Sequence, residues 1–230
     1  MFDKTLFKYF EETHTGFYDG KLVPSITQLI SVAFPLDPNI KEEVLKKAAT
    51  RGTTIHNEVE KINKLYIDGA KDNQVLKEVA KSEYAEIKDY YCLLKTFNLK
   101  PIFAEQTVFL LDKNGELIAY GHYDFIVECV KSNDLFNCLD LYLFDLKTTS
   151  VFDKKKTQLQ TQIYRVAIKQ AGADLNELTC GIWLRDGNAN IYPFATIEDS
   201  VVIQTCKILR KIWDDEYKDN LWKNRRNNFD

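Results

Sequence analysis

Two hydrophobic rhythms divide this chain. Val44, Leu45 and Ala48, then Ile55, Val59, Ile62 and Leu65, recur at three- and four-residue steps on either side of Gly52, the spacing of an amphipathic helix. A second helix is predicted over about 82–97, and Pro101 is expected to end that helical region. Ahead of both, Phe7, Tyr9 and Phe17 suggest a short strand or hairpin leading to a helix capped by Ser25 or Thr27. Beyond residue 101 the rhythm shortens. Strands are expected around 102–111, 117–130 and 139–147, with a hairpin signal at Asp112-Lys113-Asn114-Gly115. A helix carrying Gln160 and Tyr164 follows. Strands around 179–185 and 190–196, joined by Asp186-Gly187-Asn188, precede a final helix through Ile203, Ile208 and Trp213. The pattern predicts an α/β (α+β) fold, a mixed sheet flanked by helices with an αβββαβ core and an N-terminal helical extension.

Polar residues stand out against these strands. The run Leu139-Asp140-Leu141-Tyr142-Leu143-Phe144-Asp145-Leu146-Lys147 alternates little and reads as a strand buried on both faces. A carboxylate and an ammonium at its end lose hydration unless they pair or bind a cation. Asp145 and Lys147, two apart, share one face of the strand. Asp124 lies in a second apolar run, Tyr123-Asp124-Phe125-Ile126-Val127, and neighbouring strands of one sheet can bring the aspartates together. Converging carboxylates repel unless a cation sits between them, and oxygen ligands favour Mg²⁺ or Mn²⁺ over zinc. Lys147 can then hold or deprotonate an attacking water. Asp-x-Lys alone is common on solvated strand ends; here it has company. Gln160 and Tyr164, four apart, share a helix face.

Composition narrows the class. The 230 residues are 45% hydrophobic, enough for a sizeable core, and no Gly/Ser/Pro-rich linker divides them. A single domain, 1–230, is expected: 1–100 mainly helical, 101–230 carrying the catalytic core. No run is apolar enough to span a bilayer and the N-terminus carries no secretory signal, so an intracellular, cytoplasmic protein without membrane partners is expected. Five scattered cysteines, an odd number without a C-x-x-C pair, suit reduced thiols. A formal charge of −3 does not advertise a nucleic-acid binder, so any contact with DNA needs a local basic track. Lys154, Lys155 and Lys156 are the best candidates; Lys46, Lys47 and Arg51, and Lys223, Arg225 and Arg226, are others. Abundant Lys and Asn with few Gly and Pro suggests an AT-rich genome, plausibly a phage's.

Pro24-Ser25-Ile26-Thr27-Gln28-Leu29-Ile30, then Gly52-x-x-x-His56, Glu105, Gly121-x-x-Asp124, Asp145-Leu146-Lys147 and Gln160-x-x-x-Tyr164 occur in one order along the chain. In that order they resemble the RecB-like branch of the PD-(D/E)XK nuclease superfamily, including mitochondrial genome maintenance exonucleases and their phage and bacterial relatives. The resemblance implies a restriction-endonuclease-like core. His56, Asp124, Asp145 and the main-chain carbonyl of Leu146 would be metal ligands and Lys147 the catalytic lysine. Gln160 and Tyr164 would steady the lysine and the substrate backbone. Glu105 is either an acid behind the ligands or facing DNA, or a solvated strand-edge residue. Some relatives hold an iron–sulfur cluster, but only Cys180 and Cys206 follow Tyr164, so no cluster is expected. Relatives build an arch over the site from the helices before residue 101, which would favour threading a free single-stranded end. The sequence therefore leads to a Mg²⁺- or Mn²⁺-dependent DNA exonuclease acting in replication, recombination or repair. The alternatives are a structure-specific endonuclease on the same fold and a catalytically silent DNA- or protein-binding module.

Overall fold

A computed structural model describes residues 2–218. Lys223, Arg225 and Arg226 lie outside the described residues. The chain opens with an antiparallel sheet of β1 (Phe7–Phe10), β2 (Thr15–Tyr18) and β3 (Lys21–Val23), one strand more than a hairpin. Four helices follow: α1 (Ile26–Ala33), α2 (Glu42–Ile67), α3 (Asp72–Val79) and α4 (Ala85–Thr96). Ser25 caps α1, accepting from the Gln28 N–H at 3.1 Å while the Gln28 side chain accepts from the Ser25 N–H at 2.9 Å.

The second half supplies β4 (Leu99–Leu111), β5 (Leu117–Cys129), β6 (Leu141–Lys147), α5 (Lys154–Gln170), β7 (Thr179–Arg185), β8 (Asn188–Phe194) and α6 (Asp199–Ile212). The fold is α+β. Its five-stranded mixed sheet runs β4-β5-β6-β7-β8, with β6 and β7 parallel and the other pairs antiparallel. The order α4, β4–β6, α5, β7 is the expected helix, three strands, helix, strand. The parallel step needs a crossover, and α5 provides it.

Helices cover both faces. On one, Ile55, Val59 and Ile62 of α2 and Tyr90 and Leu94 of α4 pack on Phe125, Phe144, Leu146 and Ile182. On the other, Ile26 and Leu29 of α1, Ile163 and Ala167 of α5 and Cys206 of α6 pack on Tyr123, Ile126 and Leu143. Central strand β6 is buried along its length except at its two ends, as its unbroken apolar run predicts.

Three local expectations change. The apolar steps flanking Gly52 form one 26-residue helix. Helix α3 has only Val75 and Val79 buried, too short a pattern to show as periodicity. Pro101 does not stop a helix: α4 ends earlier, Asn98 takes a left-handed φ of 54°, and Pro101 sits inside β4. Since β4 is an edge strand, the missing N–H of Pro101 need cost no ladder bond.

Candidate active site

Strands β5 and β6 separate where the polar residues lie. Their pairing runs from Glu128↔Leu141 to Phe125↔Phe144 and stops, leaving Asp124 and Asp145 as the next residues on the two arms of a fork. Here the Leu146 N–H donates to Asp124 Oδ2 at 2.5 Å, so the carboxylate takes over where the ladder ends. Strand β5 also turns over at this point. Phe125 and Val127 enter one core, yet Tyr123, which strict alternation would place beside them, enters the other. Opposite, Glu105 adopts a left-handed φ of 50° inside β4, an uncommon conformation for a non-glycine residue. The kink that aims Asp124 thus involves both strands.

Asp145 is only 2% exposed, and its Oδ2 lies 2.6 Å from Lys147 Nζ. That contact falls outside hydrogen-bond geometry, so neither carboxylate oxygen of Asp145 has a directed hydrogen bond. Burial pushes the Asp145 carboxyl above the ordinary carboxylate range; Lys147 pulls it down and Asp124 pushes it further up. Burial opposes the charge on Lys147, but Asp145 and Asp124 outweigh it, and the ammonium's pKa lies above its ordinary value. Lys147 also donates to Gln160 Oε1 at 3.0 Å. Tyr164, one turn further along α5, is buried beside Gln160, and burial followed by the charges of Asp145 and Asp124 holds its hydroxyl protonated. Gly121 explains itself here, because a Cβ on it would fall 2.7 Å from the Tyr164 ring.

Helix α2 brings the other wall. His56 Nδ1 is 3.9 Å from Asp124 Oδ1. Gly52, one turn earlier, lets the helix approach β6: a Cβ there would lie 3.1 Å from Thr148 Oγ1. His56, Glu60, Glu105, Asp124 and Leu146 line one small cleft. Glu60 was not singled out from sequence; its position one turn after His56 on the same helix face was the available signal. Its carboxylate pairs with Lys64 at 2.5 Å.

Glu105 offers a pH test. Burial first, then the charges of Asp124 and Glu60, raises its carboxyl from 4.5 to about 8. A group whose folded pKa is raised stabilises the fold most below its unfolded pKa, and that contribution is lost as pH rises through the folded value. Stability from Glu105 should therefore decline between about pH 4.5 and 8. The residue is exposed to solvent, which screens the effect. Glu105→Gln is expected to melt about 1–3 °C higher than wild type at pH 9, with no gain at pH 4. Parallel pH dependences of the two melting temperatures would contradict the assignment.

The donor chemistry fits a hard divalent cation: two carboxylates meet at the fork, one with buried oxygens lacking directed hydrogen bonds, and an imidazole adjoins them. The side chains are not drawn into a ready-made shell, since no group of three or more His, Cys, Asp or Glu is close enough to hold a metal among the described residues.

The basic candidates separate. Arg51 is turned inward, donating to Glu86 Oε1 and, at 3.4 Å, to the Thr148 carbonyl; it ties α2 to α4 and to the end of β6. Lys46 and Lys47 form helix-surface pairs with Glu42 and Glu43. Lys154, Lys155 and Lys156 open α5 just beyond β6, with Lys154 Nζ over the Tyr192 ring at 4.8 Å.

No family model matches the chain, and no curated protein matches it. Among solved structures, the crystal structure of SSO0001 is similar with a TM-score of 0.40 and 12% identity, covering 85% of this chain and 82% of that one. No helix among the described residues is long and apolar enough to cross a membrane.

Proposed function

We propose that the chain is a Mg²⁺- or Mn²⁺-dependent deoxyribonuclease, acting as an exonuclease on free single-stranded ends. The observation that carries this reading is the fork, where Asp124 and a 2%-exposed Asp145 converge beside Lys147. Burying an acid among further acids is costly, and a bound divalent cation offsets the cost.

Asp124, Asp145, His56 and the Leu146 carbonyl are the proposed cation ligands. When bound, the cation would lower the pKa of a coordinated water and offset charge on the phosphate. Lys147, an ammonium, would donate to the attacking water or to a non-bridging phosphate oxygen rather than accept a proton. Gln160 fixes the ammonium's direction, and Tyr164 packs behind Gln160. The tie from Leu146 to Asp124 holds the fork open at a set width.

Access favours a free end. Residues 36–50 are almost wholly exposed, with Leu36 64% and Val44 56% exposed, so the first turns of α2, ahead of the stretch that carries His56, stand clear of the core. The rest of α2, with α4, packs on the sheet and α3 packs on those two helices, so the projecting segment is the part of this region proposed to overhang the cleft. The decisive assay uses end-labelled linear single- and double-stranded DNA and a single-stranded circle, each with Mg²⁺, Mn²⁺ or EDTA. Linear single strands should shorten with either metal and survive in EDTA, and the circle should persist. A circle cut as fast as the linear strand would make the enzyme an endonuclease; no cleavage anywhere would leave a binding module.

A further inference from the structure

Next to the fork lies a second feature that the catalytic reading does not use. Across the parallel β6–β7 pair, Asp145 is in register with Gly181 and Lys147 with Trp183; across β7–β8, Gly181 is in register with Tyr192. Cys180, Ile182 and Leu184 fill the core on the α2 side, so Gly181 and Trp183 face the side that Lys147 and Gln160 occupy. Gly181 is required there, because a Cβ would fall 2.7 Å from the Phe152 ring. Phe152 lies in that space and stacks on Tyr192 with centroids 4.3 Å apart and planes at 19°, with Trp183 6.4 Å away. The Trp183 indole N–H donates to the Thr149 carbonyl at 2.8 Å, fixing the ring's plane.

Phe152, Trp183 and Tyr192 are all half-buried rather than enclosed, and Val151 beside them is 75% exposed. Lys154 lies over Tyr192 and its neighbour in sequence, Lys155, is exposed; Arg185, at the end of β7, is taken up by Asp186 at 3.0 Å and the Thr148 carbonyl at 3.3 Å. A patch serving only to close the loop over α5 would have no need of lysines at its rim. Half-exposed rings with basic side chains above them suit nucleobases whose phosphates run along the cations. Trp183 is one strand from Lys147 and Tyr192 two strands from Asp145, steps of about 4.8 Å each, so the rings begin where a phosphate at the fork would end.

We infer that Trp183, Phe152 and Tyr192, rimmed by Lys154 and Lys155, form a shelf on which unpaired bases of a single-stranded nucleic acid stack beside the fork. This deepens the nuclease reading and rests on it for the position of the phosphate, but base stacking can be measured without cleavage.

The test is fluorescence-anisotropy binding in EDTA of a labelled oligothymidine, an oligouridine and an abasic strand of the same length. Bases that stack on the shelf make the abasic strand bind at least about fivefold more weakly than oligothymidine. Oligouridine should bind like oligothymidine if the rings read only base faces. Trp183→Leu should bring oligothymidine down to the abasic affinity while leaving the abasic strand's own affinity unchanged, a pattern that a misfolded variant cannot give. Should that variant fail to fold, Tyr192→Leu with the wild-type abasic comparison replaces it, and loss of the oligothymidine preference is again expected. Equal affinities for abasic and oligothymidine strands, or no binding of either base-bearing strand, overturn the shelf. Cleavage of DNA with Mg²⁺ despite base-independent binding would leave the nuclease reading standing without it. Base-dependent binding without cleavage would do the reverse.

Discussion

Asp145→Asn is expected to lower metal-dependent cleavage by at least about a thousandfold while the protein stays folded. The substitution keeps side-chain shape and removes the charge. In the native protein that charge is held against burial and against Asp124, with Lys147 as its one close counter-charge. Removing it relieves the repulsion as well as breaking the pair, so far-ultraviolet circular dichroism and the melting temperature should change little. Mn²⁺ titrated into wild type should give a calorimetric binding signal that the variant lacks. Asp124→Asn makes a parallel case: its amide oxygen can still accept the Leu146 N–H, so the fork is preserved and only the charge goes. Wild-type turnover in either variant would remove the carboxylates from the chemistry.

How far the sequence led depended on the range of the interactions concerned. Strand β6 was legible because a central strand must be apolar on both faces, and that requirement acts on consecutive residues. The pairing of Asp145 with Lys147 followed from two-residue alternation alone. The contact of Lys147 with Gln160 was foreseeable only as a helix face, since its partner comes from another element thirteen positions away. Features that depend on how layers meet were hidden. Glu60 shares a helix face with His56, but nothing local shows that this face lines the cleft, or that Arg51 is turned toward Glu86 and away from the basic track. The face change of β5 at Asp124 was also out of reach, because it breaks the alternation from which strands are recognised. Gly121 and Gly181 show the same limit: each is a space for one ring, Tyr164 or Phe152, contributed by a different part of the chain.

The second large effect concerns Lys147, whose two neighbours define what it can do. Asp145, an ion-pair contact at 2.6 Å, and Gln160, which accepts at 3.0 Å, leave room for a compact ammonium with donor capacity toward the cleft. Since the surrounding acids keep that group protonated, its contribution is a directed hydrogen bond and a charge close to the phosphate. Lys147→Arg retains the positive charge but spreads it over a planar fork too broad for the same two neighbours. Binding of uncut single-stranded DNA in EDTA is expected to stay within about threefold of wild type, because the net charge facing the phosphates is unchanged. Single-turnover cleavage with Mg²⁺ should fall by about a hundredfold or more, because the donor no longer sits where charge develops. Lys147→Met tests the complementary half: with the charge gone, Asp145 is left buried without its counter-ion, so both binding and the melting temperature should drop alongside turnover. If Lys147→Arg instead loses binding and turnover in equal proportion, the residue is a simple electrostatic contact and the attacking water is positioned by other groups of the fork.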